Sequence, residues 1–182
     1  MADAQQFEAF MRRYQNMVFS TSMRLLANQT EAEDVAQETF LRAYEHFPEL
    51  ETSPTAGGWL KRVATNLCLN HLSRYRARWS FFSEMLSGSA EEESEPIEFA
   101  SPDNLSETIE ITDRHELVER ALQKFPTAQR VAIVLYHLEG LRYEEIAAKL
   151  NVSLGKVKTD IFRAREALRK KLAMPLAEDL AL

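Results

Sequence analysis

The charges of this 182-residue chain are segregated along its length, and this segregation strongly limits how the chain can fold. Residues 80–110 contain no lysine or arginine but carry nine aspartate and glutamate residues. Between residues 83 and 103, serine, glutamate, glycine and proline dominate, and such a stretch buries too little apolar surface to offset the entropy of ordering it. We therefore predict a flexible acidic linker at 80–110 between two domains, at 1–79 and 111–182.

Two interpretations of this linker stay open, a solvated acidic spacer and an acidic strand that enters a basic channel on a partner.

The net charge of −6 hides the character of the flanking segments. Residues 1–79 balance near zero, residues 111–182 come to about +3, and both segments contain clusters of basic residues. The overall acidity therefore does not exclude a nucleic-acid partner.

Both flanking segments are predicted to be helical, because glycine and proline are scarce and apolar residues recur at intervals of three and four. The first domain should contain three helices, at 30–47 between 7–27 and 57–78. The second should contain four, at 115–124, 128–137, 143–150 and 153–171. Thr30 is expected to cap its helix in a capping box with Glu33, and Pro48 to end it. The predicted fold class is all-α, with two small helical domains.

Several classes of protein are disfavoured by what the sequence lacks. No apolar run approaches the roughly 20 residues of a membrane span, and the amino terminus lacks the apolar centre of a signal peptide. Cys68 is the single cysteine, which excludes an intrachain disulfide and a cysteine-rich zinc site. No glycine-rich phosphate loop and no clustered catalytic set is evident. We expect no catalysis, metal, cofactor or membrane insertion, and a cytoplasmic location.

Residues 143–171 carry the most specific pattern in the chain. A short helix at 143–150 should turn three apolar residues inward: Ile146, Ala147 and Leu150. A turn at 151–152 follows, and Ser153 should then cap a longer helix. A short helix, a tight turn and a second helix make the helix-turn-helix arrangement.

The longer helix has two chemically different faces. One face carries apolar residues at helical spacing: Leu154, Val157, Ile161, Ala164 and Leu168. The opposite face should meet base edges in DNA and carries Lys156, Thr159, Asp160 and Arg163. Neighbouring basic residues are placed to reach phosphates: Lys158, Arg165, Arg169, Lys170 and Lys171. The alternative is an ordinary amphipathic helix with a solvated basic face.

This segment resembles the carboxy-terminal domain of sigma factors of the extracytoplasmic-function group, which recognises the minus-thirty-five promoter element. The family pattern is close to Gly-Thr-Val-Lys-Ser-Arg followed by Arg-Ala-Arg. Here residues 155–160 are Gly-Lys-Val-Lys-Thr-Asp, and residues 163–165 are Arg-Ala-Arg. The resemblance implies that seven residues bind minus-thirty-five DNA: Ser153, Gly155, Lys156, Lys158, Thr159, Arg163 and Arg165.

Asp160 departs from the family pattern, in which a basic residue is common at this place. On the predicted DNA-facing surface, its carboxylate would repel phosphate unless it accepted a hydrogen bond from a cytosine amino group. The DNA sequence that the helix recognises therefore stays open.

The helix at 30–47 should turn four apolar residues to the core: Ala36, Phe40, Ala43 and Phe47. Its other face is polar apart from Leu41, which is either an incidental exposed leucine or a partner contact. This stretch resembles the sigma segment that clamps a coiled-coil of the largest polymerase subunit. The resemblance implies polymerase binding by Asp34, Gln37, Glu38 and Leu41, with the leucine as an apolar anchor.

Residues 58–66 resemble the sigma segment that recognises and melts the minus-ten element, and the loop before them corresponds to the family's pocket for a flipped-out base. Arginine can contact phosphates, asparagine can pair with a base edge, and an aromatic ring can pack on an unstacked base. The resemblance implies minus-ten binding by Trp59, Lys61, Arg62, Asn66, Asn70, Arg74 and Arg76. For Trp59, an anchor in the core is the alternative interpretation.

The resemblance covers residues 7–79 and 112–172 in the order of the family. It implies a sigma region 2 helical bundle and a sigma region 4 helix-turn-helix. The implied function is a transcription initiation factor with core RNA polymerase, promoter DNA (duplex and melted strand) and an anti-sigma factor as partners. A stand-alone helix-turn-helix regulator is the alternative, and it would leave the first domain unexplained.

Overall fold

The computed structural model describes the backbone of residues 4–86 and 114–178, and the side chains of residues 4–75 and 116–173. The chain divides into two compact units, Met1–Ala90 and Glu91–Leu182. All regular structure in the described ranges is helical, which confirms the all-α class with two helical domains. Most of the predicted acidic linker lies outside the described residues.

The first unit contains four helices: α1 (Ala4–Leu26), α2 (Gln29–Glu45), α3 (Phe47–Leu50) and α4 (Ala56–Leu86). Helices α1, α2 and α4 pack around one apolar cluster that includes Phe10, Phe40, Phe47 and Leu60. Phe47 is fully buried, and its ring meets Phe10 at 5.4 Å between ring centroids. The predicted core positions of the second helix are confirmed, with Ala36 half-buried against the cluster.

The amino-terminal cap of α2 differs from the prediction. The helix begins at Gln29, so Thr30 lies inside its first turn. Asn28 instead holds the extended backbone of a cap, and its side chain accepts a hydrogen bond from the Glu31 N–H at 3.1 Å. Asparagine is as effective a cap as serine or aspartate. The carboxylate of Glu33 accepts from the Gln29 side chain at 2.9 Å, so the predicted capping box is wrong.

Two other helix ends also differ from the sequence-based boundaries. Helix α2 ends at Glu45, and Pro48 lies in the first turn of α3 rather than after a helix end. Proline suits this position because its missing N–H would be unpaired there in any case. Helix α4 continues to Leu86 rather than ending at residue 78, since no glycine or proline interrupts residues 79–86.

The start of α4 lies close to α1. A Cβ atom added at Gly57 would stand 3.2 Å from Cε1 of Tyr14, which is tighter than ordinary packing allows. About four turns further along the helix, Nε2 of His71 lies 3.2 Å from the carboxylate of Glu31 in α2. These contacts hold α4 against both neighbouring helices.

The second unit contains α5 (Arg114–Gln123), α6 (Thr127–His137), α7 (Tyr143–Leu150) and α8 (Leu154–Glu178). Helix α8 packs against each of the other three. Its core includes Leu135, Ile146, Val157 and Ile161, each no more than 1% exposed. All four predicted helices are present, and α7 has the predicted ends.

One buried cation braces the second unit. Nη1 of Arg130 donates to the carbonyl of Phe125 at 3.0 Å, which ties α6 to the turn before it. Burial lowers the pKa of Arg130 to about 10, so the guanidinium stays charged at neutral pH. Within the described residues, no helix is long and apolar enough to cross a membrane.

Candidate functional site

The turn between α7 and α8 is held by backbone geometry as well as by packing. Asn151 adopts the left-handed conformation (φ 53°, ψ 49°), which asparagine tolerates better than most residues. The Val152 N–H then donates to the carbonyl of Ala147 at 3.1 Å and closes the end of α7. Of the three residues predicted to face inward on α7, Ile146 is fully buried, and Ala147 and Leu150 are half-buried.

Ser153 caps α8, as predicted. Its hydroxyl oxygen accepts from the Lys156 N–H at 3.2 Å, and its carbonyl accepts from the Val157 N–H at 3.2 Å. The cap satisfies a backbone donor that the first turn of a helix otherwise leaves unpaired. The short helix, the left-handed turn and the capped second helix together form a complete helix-turn-helix.

The seven residues predicted to bind minus-thirty-five DNA all lie exposed on or just before α8; we call them the recognition surface: Ser153, Gly155, Lys156, Lys158, Thr159, Arg163 and Arg165. Gly155 has no neighbouring atom within 4 Å of where a Cβ would stand, so packing inside the unit does not require a glycine there. The Thr159 hydroxyl donates to the Gly155 carbonyl at 2.9 Å. Four basic residues of this surface lie within three turns of one helix.

Asp160 does not lie on the DNA-facing side, and its predicted exposure is wrong. The residue is only 7% exposed. It follows Val157 by three positions and precedes Ala164 by four, so it falls on the same stripe of the helix as these buried residues. Its carboxylate stays near the surface through Lys156, whose Nζ lies 3.1 Å from Oδ2. The charge of Asp160 was a poorer guide to its position than its spacing.

Arg165 has partners within the unit. Its Nε donates to Nε2 of His137 at 3.2 Å, and its guanidinium lies 5.2 Å from the ring centroid of Tyr136. Burial and then the charge of Arg165 lower the pKa of His137 below 6.5, which keeps the imidazole neutral and able to accept at neutral pH. These contacts fix the direction in which Arg165 leaves α8.

The second candidate surface lies on α2 in the first unit. Asp34, Gln37 and Leu41 are exposed. Glu38 is partly exposed and accepts from Nε of Arg42 at 2.9 Å, a common pairing one helical turn apart. Leu41 exposes 59% of its surface in the middle of this polar face. The structure thus brings an amide, carboxylates and one apolar side chain to a single helix face, which we call the α2 surface.

The third candidate surface lies along α4. Arg62, Asn66, Asn70 and Arg74 are exposed, and Lys61 is half-buried. Arg76 belongs to the same helix, but its side chain lies outside the described residues. We call these residues the α4 surface. The four exposed residues follow one another at four-residue intervals on a single helix, so a strand of nucleic acid could run along them.

Trp59 stands at the start of the α4 surface, and its position partly agrees with the alternative interpretation, an anchor in the core. The side chain is half-buried and packs against the apolar cluster of the first unit. Its ring meets that of His46 edge to face, at 5.6 Å between centroids. Trp59 therefore anchors the start of α4 while part of the residue remains accessible.

The sequence reasoning missed two exposed aromatic residues that lie beside the predicted surfaces of α2 and α8. Tyr44 is 53% exposed three residues after Leu41 on α2, and its ring packs edge-on against Phe7. Phe162 is 65% exposed three residues after Thr159 on α8. Helical spacing from the residues already chosen would have found both.

No group of three metal-binding side chains gathers within the described ranges.

A capped helix-turn-helix, the arrangement by which many proteins bind DNA, lies in one unit, and a polar helix face with an exposed leucine lies in the other. Family models match a segment in each of the two units. Residues 10–78 match Sigma-70 region 2, and residues 115–168 match Sigma-70, region 4. The two matches fall in separate units of the structure.

Known proteins are similar to the chain over most of its length. The RNA polymerase sigma-H factor of Pseudomonas aeruginosa is 33% identical, over 97% of this chain and 91% of that protein. The ECF RNA polymerase sigma factor SigW of Bacillus subtilis is 31% identical, over 87% and 84%. A solved structure, the sigma factor RpoE with the anti-sigma factor NepR from Bartonella quintana, matches with a TM-score of 0.49 at 22% identity, over 93% of this chain and 98% of that one.

The chain belongs to the sigma-70 family, in its extracytoplasmic-function group. It is a transcription initiation factor that directs RNA polymerase to promoters. A stand-alone helix-turn-helix regulator is not favoured, because the region 2 match accounts for the first unit, which such a regulator would leave unexplained.

Proposed function

We propose that the three surfaces divide promoter initiation between them, and that the chain itself performs no catalysis. The α2 surface would hold core polymerase, the α4 surface would hold the melted minus-ten strand, and the recognition surface would bind minus-thirty-five duplex. Residues 1–79 and 111–182 would form the two working domains, with residues 80–110 as the tether. The observation that carries the proposal is that each predicted residue set lies on or directly before a single helix, with most of its described side chains exposed, within a member of this family.

Polymerase binding is assigned to the α2 surface on the basis of Leu41. An apolar side chain that is 59% exposed inside a polar face gains free energy when a partner covers it, whereas it gains nothing in the isolated unit. Asp34, Gln37 and Glu38 would surround it with groups that pair with basic and amide residues. An apolar anchor with a polar rim is the usual anatomy of a binding hot spot.

Strand capture is assigned to the α4 surface. Arg62 and Arg74 supply charge for the strand's phosphates, and Asn66 and Asn70 supply groups that can pair with base edges. A protein that binds single strand better than duplex shifts the melting equilibrium without hydrolysing a nucleotide. Each captured base that stacks on an aromatic ring contributes about 1–3 kcal/mol, and the accessible part of Trp59 would take this role.

Duplex recognition is assigned to the helix-turn-helix. The helix cap at Ser153 places the first turns of α8 at the surface, where a recognition helix meets base edges. Thr159 and Arg163 face outward there, and Lys158 lies beside them. Arginine pairs most often with guanine, so Arg163 is the residue to which we assign sequence discrimination. Lys158 and Arg165 would contact phosphates.

Membership of the family also motivates the remaining parts of the proposal. We infer that an anti-sigma factor holds the chain inactive and that the protein works in the bacterial cytoplasm. An anti-sigma factor would act by covering the surfaces that polymerase needs, and the α2 surface is the one with an exposed apolar side chain.

Separation of the functions tests this assignment. Gln37→Ala with Leu41→Ala should weaken binding of core polymerase while far-UV circular dichroism stays unchanged, because both residues are exposed. Arg163→Ala should retain core binding and lose transcription that depends on the minus-thirty-five element. Binding of core is measured by anisotropy of the labelled chain, and promoter use by run-off transcription. Equal loss of both activities in Arg163→Ala, or unchanged core affinity in the double variant, would contradict the assignment.

A further inference from the structure

Helix α8 carries a charge pair, with one member on the recognition surface, where the family pattern has Thr and Arg. In this chain the two positions hold Lys156 and Asp160. The Lys156 ammonium lies 3.1 Å from Oδ2 of Asp160, one helical turn further along α8. The side chain of Asp160 is 10% exposed, and that of Lys156 is 43% exposed. The pair is therefore partly shielded from water.

The position of the carboxylate decides where the lysine points. Asp160 lies on the stripe of α8 that faces the interior, beside Val157 and Ala164. A lysine that pairs with it is drawn along the helix toward the interior edge of the recognition surface. Lys158 and Thr159, two and three positions after Lys156, stand on the exposed side of α8.

We propose that Asp160 is a positioning residue that withholds Lys156 from DNA phosphates and so lowers the affinity of the chain for DNA of any sequence. The proposal rests on the proposed function of the recognition surface. Phosphate and carboxylate compete for the same ammonium, and a lysine that keeps its carboxylate releases less counterion from DNA. Base-edge contacts by Arg163 do not depend on this competition. The pair therefore reduces non-specific binding more than promoter binding.

A pair that weakens non-specific binding would help the chain to find promoters, because promoters are rare among non-specific sites. What matters for finding a promoter is the ratio of specific to non-specific affinity, rather than either affinity alone. Phosphate contacts supply almost all of non-specific binding and carry no sequence information. A buried carboxylate that neutralises one lysine removes affinity from that component.

The direct test is the salt dependence of binding to a short fluorescent duplex of random sequence, measured by anisotropy with the full chain. Asp160→Asn keeps the volume of the side chain and removes its charge. It should steepen the slope of log affinity against log salt by about 0.9, the contribution of one phosphate contact. Between about 50 and 200 mM salt, this slope gives roughly a threefold larger loss of affinity than in the parent chain.

A double-mutant cycle identifies Lys156 as the residue that is released. Lys156→Ala should remove the whole of the added slope in the Asp160→Asn chain, and clearly less than that in the parent chain. Asp160→Glu, which retains a carboxylate within reach of Lys156, should keep a slope near that of the parent. An equal effect of Lys156→Ala in both backgrounds, or an unchanged slope in Asp160→Asn, would overturn the proposal.

A purely structural role for Asp160 predicts a different pattern. The temperature of thermal unfolding would then fall in Asp160→Asn, while the slope of log affinity against log salt stayed that of the parent chain. If that variant does not fold, Lys156→Ala and Lys158→Ala in the parent chain decide the matter. Lys156→Ala should lower the slope less than Lys158→Ala, and equal effects would overturn the proposal. Transcription by the parent chain with core polymerase tests the proposed function separately, because it does not depend on the pair.

Discussion

Truncation of Ile146 to alanine should strongly destabilise the helix-turn-helix unit and leave the stability of the first unit unchanged. Ile146 is 0% exposed on α7, in the core of the second unit. Removing the buried part of an isoleucine or leucine beyond Cβ costs about 2–5 kcal/mol, because a cavity remains. A unit of about 60 residues has a total stability of about 3–9 kcal/mol at ordinary values per residue. The substitution therefore removes a large part of the stability of this unit.

Leu60→Ala is the matched variant in the first unit. Leu60 is also 0% exposed, and it lies on α4 within the apolar cluster. Truncating it should destabilise the first unit by a similar amount and leave the helix-turn-helix folded. The two variants thus differ in which unit they affect, rather than in the kind of damage.

Two spectroscopic signals distinguish the units. Both tryptophans of the chain, Trp59 and Trp79, lie in α4, so tryptophan fluorescence reports on the first unit. Far-UV circular dichroism reports on the helices of both. In Ile146→Ala, part of the helical signal should be lost at a lower temperature than in the parent. The midpoint of the fluorescence transition and the affinity for core polymerase should stay as in the parent. A fluorescence transition that falls as far as it does in Leu60→Ala would refute the independence of the units.

The remaining predictions concern single contacts. Ser153→Ala removes the cap of α8 and should lower the free energy of unfolding of the second unit by about 1 kcal/mol in urea melts; no change would mean that water caps the helix equally well. The lowered pKa of His137 means that the unfolded chain binds more protons below pH 6.5, so stability of the second unit should fall as the pH drops below that value. His137→Gln should flatten the plot of stability against pH in this range. An unaltered plot would mean that another group causes the pH dependence. Arg62→Ala should reduce the salt slope for binding of a melted minus-ten strand by the holoenzyme by about 0.7, with thermal unfolding unchanged; an unchanged slope would remove Arg62 from the α4 surface.

Spacing of apolar residues predicted most of the fold. The core faces of α2 and α8 follow from intervals of three and four, because a helix brings such residues onto one stripe. Asp160 shows what happens when residue chemistry is preferred over spacing. Its charge suggested exposure, whereas its interval from Val157 and Ala164 predicts the buried position that it holds.

Local choices between similar residues were harder to predict. Asn28 and Thr30 are both good caps, and a shift of the helix start by two residues decides between them. Contacts between residues far apart in sequence leave no periodic signal at all. The hydrogen bond from Arg165 to His137 spans 28 positions, and it depends on how α8 lies against α6. Sequence could name Arg165 as a phosphate contact but could not show what orients it.

Transcription with purified core polymerase tests the central claim most directly. The chain, core enzyme and a library of random promoter DNA are combined, and the ends of the transcripts are sequenced. The account predicts specific start sites only when the chain and core are both present, with weak duplex binding by the chain alone. Tight, specific duplex binding by the isolated chain, with no stimulation of core, would contradict the account.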